Sequence, residues 1–219
     1  MLRSLPIWLN LPAALVLLLS AVGSAHAFPT SGNIIPTADM LEQGACRLEV
    51  ENDGAPRLFA AGDENYLLLQ FAPHPRLELG VDLYSASDDN QLLLNAKWLA
   101  VGEARRRPAL ALGVMEVGHD YQETGYLVAT KDLGGGFRMS LGGAACGADE
   151  ALLLGAELQV GERDYLLADW ASWSAGYVSF GLYREFGEGF GINLAYAWPN
   201  EHAEDKLFLL NLSRTFSYR

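Results

Sequence analysis

Long apolar runs are almost absent from this sequence of 219 residues, and the one that exists lies near the N-terminus, at residues 11–23. After residue 27, no run approaches the ~20 apolar residues that a membrane-spanning helix needs. No segment shows a sustained helical period with capping residues either. If the protein crosses a membrane, the sequence therefore predicts that it does so with β-strands.

Positive charge is scarce as well. The chain has 15 Lys and Arg against 27 Asp and Glu, which gives a formal net charge of −12. The only basic cluster, Arg105 to Arg107, precedes Pro108 in a stretch that reads as a turn. Without a basic stripe that could displace phosphate counterions, nucleic acid is excluded as a partner.

Cysteine is limited to Cys46 and Cys146, with no CxxC pair and no zinc-ligand spacing. The strand order predicted below puts the two near opposite ends of the molecule, so we predict no disulfide between them. The sequence predicts no metal site and no cofactor. The short Gly-rich stretch at residues 134–137 lacks the Lys-Ser/Thr pair and the helix of a phosphate-binding loop.

The N-terminus has the features of a secretory signal peptide. Arg3 is the only charged residue before Asp39, and the apolar run is followed by Ala25-His26-Ala27. A positive start, a short apolar stretch and an A-x-A site predict export and cleavage after Ala27. The remaining 192 residues fit one domain, with a charge one unit more negative than that of the full chain because Arg3 is removed.

From residue 44 onward, the sequence falls into about twelve short alternating runs separated by turn residues. Residues 76–84, RLELGVDLY, alternate apolar and polar side chains without a fault. The preceding residues 28–43, rich in Pro, Gly, Ser and Thr, predict an extended periplasmic leader. The domain prediction is a signal peptide at 1–27, the leader at 28–43, and an antiparallel transmembrane β-barrel at 44–219.

Alternation alone does not show which face of the strands is inside. In a soluble periplasmic β-sandwich the leucines would form the core, whereas in a membrane barrel they would face lipid. The polar face mixes charges of both signs with glycines, which favours a narrow lumen over a solvated surface. The predicted lumen-lining residues are Arg47, Glu49, Arg76, Glu78, Asp82, Lys97, Arg138 and Glu157. The triple leucines at 67–69, 92–94 and 152–154 leave the two faces indistinguishable there.

Loops and aromatic residues also favour the barrel. One set of predicted connections is longer and acidic and the other is shorter and Gly-rich, the asymmetry expected of an outer-membrane barrel. Aromatic residues crowd the predicted strand ends, as in membrane-interface girdles. They include Tyr84, Trp98, Phe137, Tyr165, Trp170, Trp173, Tyr183, Phe186, Phe190, Trp198, Phe216 and Tyr218.

The start of the predicted mature chain resembles a family of Gram-negative outer-membrane barrels. In that family a Gly-x-Ile-x-x-Pro-Thr-Ala segment and a Leu-x-x-Gly precede the first strand, and its members include exopolysaccharide-associated and uncharacterised barrels. The matching residues here are Gly32, Ile34, Pro36, Thr37, Ala38, Leu41 and Gly44. The last strand, LFLLNLSRTFSYR, resembles the C-terminal assembly signal of such barrels. The resemblance implies outer-membrane lipid, lipopolysaccharide and the barrel assembly machinery as partners.

Two functional classes remain open for such a barrel. The first is a passive channel or envelope-structural component, in which the leader either plugs the lumen or lies beneath it. The second is a lipid- or lipopolysaccharide-modifying hydrolase at the rim, for which His119 and His202, both in predicted external loops, are the candidate catalytic residues. The acidic loops predict a solvated rim rather than a cation site.

Overall fold

The computed structural model describes residues 31–54, 64–86, 89–118, 123–201 and 206–218. They contain twelve antiparallel strands that form one closed barrel, as the sequence predicts. Among these residues, no helix has the length and apolar character that a membrane span requires. The strands are β1 (Ala45–Gly54), β2 (Glu64–His74), β3 (Leu77–Ala86), β4 (Asp89–Val101), β5 (Ala109–Val117), β6 (Thr124–Gly134), β7 (Phe137–Cys146), β8 (Asp149–Gln159), β9 (Asp164–Ala171), β10 (Tyr177–Gly187), β11 (Phe190–Pro199) and β12 (Leu207–Ser217).

Closure of the barrel depends on the pairing of the first and last strands. β1 pairs with β12 from Ala45 opposite Ser217 to Gly54 opposite Phe208, and every other strand pairs with its neighbours in sequence. Closure leaves no open edge, so the backbone groups of apolar strands are satisfied without water. The even number of strands puts both ends of the strand array at one end of the barrel, called here the N-terminal end.

The connections at the N-terminal end include tight turns. Gly135 and Gly136, between β6 and β7, have φ of 66° and 77°. Two successive positive φ values are what a two-residue hairpin turn with the right twist requires, and glycine adopts them at no steric cost. The basic cluster lies in the longer connection between β4 and β5, where all three arginines, Arg105 to Arg107, are exposed as expected of a turn.

The apolar face of the strands is the outer face. Leu83, Leu127 and Leu141 are 41%, 56% and 55% exposed, whereas Glu78 and Asp82 are only 5% and 7% exposed. Large leucines exposed around the barrel, with charges buried inside it, reverse the pattern of a soluble protein and match a lipid-facing band. The soluble β-sandwich alternative is therefore wrong.

The triple leucines follow the same rule once the register is known. In residues 92–94, the outer two leucines are 53% and 47% exposed and Leu93 is 3% exposed. In residues 152–154, the middle leucine, Leu153, is 2% exposed. The middle residue of these two triplets therefore points into the barrel, as does Leu68, which lines a lumen cavity.

The aromatic residues divide between the two faces. Trp98, Phe186 and Trp198 are 42%, 51% and 41% exposed on the outer face, as a girdle requires. Tyr165 and Tyr183, expected in the same girdle, instead lie in the lumen at 6% and 4% exposure with ring centroids 6.0 Å apart. In the sequence, a tyrosine near a strand end that points into the lumen looks the same as a girdle tyrosine. The two differ only in whether they occupy an inward or an outward position of the strand.

Candidate functional site in the barrel lumen

The N-terminal segment lies inside the barrel. Residues 31–43, the described part of the predicted leader, run through the lumen and connect to β1 at the N-terminal end. Ile35, Ala38 and Leu41 are only 1%, 2% and 4% exposed, because the barrel wall surrounds them. The sequence left open whether the leader plugs the lumen or lies beneath it; the structure places this part inside, rather than below the barrel in the periplasm.

A carboxylate on β9 holds the first part of the leader. Asp169 Oδ2 accepts hydrogen bonds from the backbone N–H groups of Asn33, at 2.6 Å, and Ile34, at 3.1 Å. The other carboxylate oxygen accepts from the Ser179 hydroxyl. Asn33 Nδ2 donates to Ser179 Oγ at 2.9 Å, and Asn193 Nδ2 donates to Asn33 Oδ1 at 3.1 Å. Three adjacent strands, β9 to β11, therefore fix one turn of the leader through a connected polar network.

The middle of the leader is held by β6 and β7. The backbone N–H of Ala38 donates to Thr130 Oγ1 at 2.9 Å, and that hydroxyl also lies 2.9 Å from Ser140 Oγ. Asp39 forms an ion pair with Arg138. Burial raises the pKa of Asp39, and the positive charge of Arg138 opposes this shift.

The end of the leader is attached to β3 and then turns into β1. Leu41 N–H donates to Glu78 Oε2 at 3.0 Å, and Glu78 is paired with Lys97 at 3.3 Å. Gly44 has φ of 85°, and its N–H donates to Ala72 O at 2.9 Å. A glycine is needed here because this left-handed backbone conformation is costly for other residues.

Glycines in the wall make room for the leader. A Cβ added at Gly155 would lie 2.9 Å from Ile35 Cδ1, and one added at Gly181 would lie 2.9 Å from Asn33 Cγ. Both positions are on the lumen face, where a larger side chain would occupy the space that the leader fills. The shape of the wall on the β8 and β10 side is therefore complementary to the leader.

The opposite side of the lumen contains a cavity of about 350 Å³, here called the acidic chamber. It lies between the leader, at Ser31 to Pro36, and the strands β1 to β6. Among its described lining residues, six are carboxylates and Lys97 is the single cation. The six carboxylates are Glu49, Glu51, Asp53, Glu78, Asp82 and Glu116.

The predicted lumen-lining residues are placed as follows. Arg47 is 5% exposed and forms a salt bridge of 2.6 Å with Glu49. Glu49, Glu78, Asp82 and Lys97 line the acidic chamber, and Arg138 and Glu157 line a crevice beside the leader. Arg76 differs: it is exposed in the turn between β2 and β3 rather than in the lumen. The alternating run begins at Arg76, but β3 itself begins at Leu77.

The other predicted sites have different outcomes. His119 and His202, the candidate catalytic residues of a rim hydrolase, lie outside the described residues, as does the predicted signal peptide. Cys46 and Cys146 are not joined by a disulfide. Across the described ranges, no group of three or more His, Cys, Asp or Glu side chains is arranged to hold a metal ion.

Three of the residues that bind the leader are not among those that the sequence predicts to line the lumen. They are Asp169, Thr130 and Ser179, and all three are on the polar parity of their strands. Asp169 is the one charged residue in the run YLLADWA, and this isolated acid among apolar residues is the signal that was available. Its partner could not be found from spacing, because Asn33 lies 136 residues away in sequence.

Solved structures share this architecture. A KdgM porin superposes with a TM-score of 0.58 and 8% sequence identity, covering 79% of this chain and 99% of its own. A KdgM porin in complex with disordered oligogalacturonate gives a TM-score of 0.59 and 9% identity, covering 80% of this chain and 99% of its own. No protein-family model and no curated protein sequence matches the chain. At these identities the likeness shows the fold, a twelve-stranded barrel of the porin type.

Proposed function

We propose that this protein is an outer-membrane channel of narrow, cation-preferring conductance whose lumen is restricted by its own leader. The observation that carries the proposal is the position of residues 31–43 inside the barrel, beside a chamber lined by six carboxylates. The leader removes most of the open cross-section that a twelve-stranded barrel would otherwise have. The chamber beside it is lined mostly by negative side chains, which concentrate cations and repel anions.

Location in the outer membrane is part of this proposal. It is supported by the band of exposed leucines, the porin-type fold and the signal-peptide features of residues 1–27. Outer-membrane lipid and lipopolysaccharide would then cover the leucine band. The N-terminal end of the barrel would face the periplasm, where the barrel assembly machinery would engage β12 with its exposed Tyr218.

The charge of the chamber determines which class of solute the proposed channel favours. One KdgM porin structure contains oligogalacturonate, a polyanion. In this chain the chamber has six carboxylates against Lys97, so an acidic oligosaccharide would be repelled from the chamber. Small cations and cationic solutes are the class that the chamber favours.

Membership in the barrel family with the Gly-x-Ile-x-x-Pro-Thr-Ala segment is a further part of the proposal. It is supported by the position of the matching residues: Ile34, Ala38 and Leu41 each donate a backbone hydrogen bond to the barrel wall, and Gly44 makes the turn into β1. These matching residues therefore hold the segment in the lumen. Other barrels that carry it are expected to hold it in the lumen.

Planar-bilayer recording of the purified protein tests the channel proposal. We expect small, cation-selective steps from the wild type, with the sign of selectivity read from the reversal potential across a KCl gradient. Asp169→Asn removes the charged acceptor of the leader and is expected to give larger or more frequent openings. Glu150→Gln, which changes an exposed acid on β8 outside the lumen, should behave as the wild type.

Two results would contradict the channel. The first is an absence of current from both the wild type and Asp169→Asn across many insertions of folded barrels, which would leave the envelope-structural role. The second is anion selectivity, which would contradict the assignment of the acidic chamber as the conducting path. Folded protein is recognised in each preparation by its heat-modifiable migration on a gel.

A further inference from the structure

The acidic chamber contains more carboxyl groups than cations that can pair with them. Glu78 is paired with Lys97 at 3.3 Å, and Glu49 with Arg47 at 2.6 Å. The other four carboxylates of the chamber have no salt bridge to any cation among the residues that the structure describes: Glu51, Asp53, Asp82 and Glu116. Acids gathered in a partly enclosed space repel one another, so a bound cation would stabilise the folded barrel.

Asp82 shows most directly that a donor is missing. It is only 7% exposed, and its Oδ2 accepts a hydrogen bond from Asn95 Nδ2. Its Oδ1 is buried and has no hydrogen-bond partner in the described part of the chain, and the same is true of Asp53 Oδ1. A buried carboxylate oxygen without a donor is costly, and the side chain lines a cavity large enough for a ligand to supply one.

The backbone of β5 is shaped to bring another carboxylate to this chamber. Glu116 has φ of 63°, an uncommon value for a residue other than glycine, and lies beside a register shift between β4 and β5. Its N–H donates to Asn95 Oδ1 at 3.0 Å, so Asn95 connects Glu116 to Asp82. Bulges of this kind redirect side chains and are common next to functional sites.

The arrangement of the carboxylates indicates an extended organic cation. They are distributed over β1, β3 and β5, and no group of three is arranged for a metal ion within the described ranges. Glu51 and Asp53 are two residues apart on β1, and their side chains hydrogen-bond to each other. A ligand that also reaches Asp82 on β3 and Glu116 on β5 must span several strands, as a chain with separated ammonium groups can.

The remaining lining of the chamber fits the same class of ligand. Tyr66, Tyr126 and Trp173 contribute aromatic surface to the chamber. Aromatic rings bind ammonium groups through their faces and pack against methylene groups. A volume of about 350 Å³ is at the lower end of small-molecule sites and suits a thin, flexible chain.

We propose that the acidic chamber is a binding site for linear aliphatic polyamines, with Asp82, Asp53, Glu51 and Glu116 as the ammonium-binding residues. Terminal and internal ammonium groups of the ligand donate to these carboxylates, including the unpartnered Oδ1 of Asp82. The proposal goes beyond the channel function, because equilibrium binding does not require that the barrel conduct.

Isothermal titration calorimetry of the detergent-solubilised folded barrel with spermidine tests the site. We expect binding of one spermidine per barrel, and weaker binding of the shorter diamine putrescine. Asp82→Asn is expected to weaken spermidine binding at least tenfold, and Glu51→Gln provides a second variant if Asp82→Asn folds poorly. Glu150→Gln, an exposed acid on the outer face, is the matched control and should retain the wild-type affinity.

Magnesium chloride at matched ionic strength separates a specific site from general attraction to a negative surface. We expect Mg²⁺ to compete with spermidine no better than NaCl does. Weaker spermidine binding in MgCl₂ than in NaCl of matched ionic strength, undetectable spermidine binding, or unchanged affinity in both folded carboxylate variants would overturn the proposal. These binding results are independent of bilayer current, so failure of the site and failure of the channel are distinguishable.

Discussion

The carboxylate of Asp169, on β9, accepts the backbone N–H of Asn33 at 2.6 Å across the lumen. The same oxygen also accepts Ile34 N–H at 3.1 Å, so one side chain satisfies two successive donors of a segment that belongs to no strand. Hydrogen bonds to a charged acceptor contribute more than neutral ones, about 1.5–3 kcal/mol each. Asp169 is therefore the residue whose loss should most weaken the attachment of the leader.

The first prediction concerns release of the leader. A cysteine at Ala38, which is 2% exposed, should react slowly with a maleimide in a barrel lacking Cys46 and Cys146. Adding Asp169→Asn should increase the labelling rate at least tenfold, because a loss of about 1.4 kcal/mol changes the population of a released state by a factor of ten. Mass spectrometry of quenched samples measures the rate.

The matched control for this experiment is Glu150→Gln, which removes a carboxylate on β8 that contacts no described part of the leader. Its labelling rate should equal that of the parent barrel. Equal rates with and without Asp169→Asn would show that the leader is held mainly by its other contacts, such as Thr130 and Glu78.

The second prediction tests the fit between leader and wall. A Cβ at Gly181 would lie 2.9 Å from Asn33 Cγ and 3.0 Å from Ala195 Cβ, so Gly181→Ala should destabilise the barrel by about 1–3 kcal/mol, as overpacking does. Gly143→Ala, whose Cβ would meet only Ala151 O at 3.6 Å, should be near neutral. Urea titration of the folded barrel, followed by tryptophan fluorescence, measures both.

A double-mutant cycle assigns this cost to the leader. With Asn33→Ala, the side chain that blocks Gly181 is shortened, and Gly181→Ala should then cost less than in the wild-type background. If the cost is the same in both backgrounds, the clash is with Ala195 on β11 and the leader plays no part in it.

The architecture follows from local patterns, whereas the plug does not. Alternation puts Leu83 and Asp82 on opposite faces, and twelve such runs with an apolar last strand predict a closed barrel, in which Leu83 faces out and Asp82 faces in. The leader has no period, and its anchor Asp169 lies more than 130 residues away, so its position depends on a lumen that exists only after closure. Residues 67–69 lie between these two cases. Three identical leucines do not show which side chain points into the barrel, and only the hydrogen-bond register of the folded strands decides it.

The third prediction concerns the lipid-facing band. Leu141, at the centre of β7, and Leu133, in the last residues of β6 at the N-terminal end of the barrel, are 55% and 56% exposed. In a bilayer, Leu141→Arg should cost about 2–4 kcal/mol and Leu133→Arg about 0–1 kcal/mol, because the cost of a charge falls from the midplane to the interface. Reversible folding into phospholipid bilayers measures the difference, and equal costs at the two positions would contradict the proposed depth of the barrel.

The last prediction is a pH dependence at the N-terminal end. Glu103, in the connection between β4 and β5, contacts Lys131 Nζ at 2.5 Å, Asp132 N at 3.0 Å and Arg138 at 3.7 Å. Partial burial raises the pKa of Glu103, but the hydrogen bonds from Lys131 and Asp132 and the charge of Arg138 outweigh it, so the pKa lies below its ordinary 4.5. Because Arg138 also pairs with Asp39, this cluster joins the turn to the leader.

A carboxyl whose pKa is lower in the folded than in the unfolded chain stabilises the fold above 4.5, and this stability is lost as pH falls through the folded pKa. The wild type should therefore lose more thermal stability than Glu103→Gln when the pH is lowered from 6 to about 3. Glu162→Gln, which changes an exposed acid in another turn at the same end, is the control and should follow the wild type. The temperature of heat-modifiable gel migration measures all three proteins. If Glu103→Gln and the wild type lose stability equally, the cluster does not hold the turn to the leader.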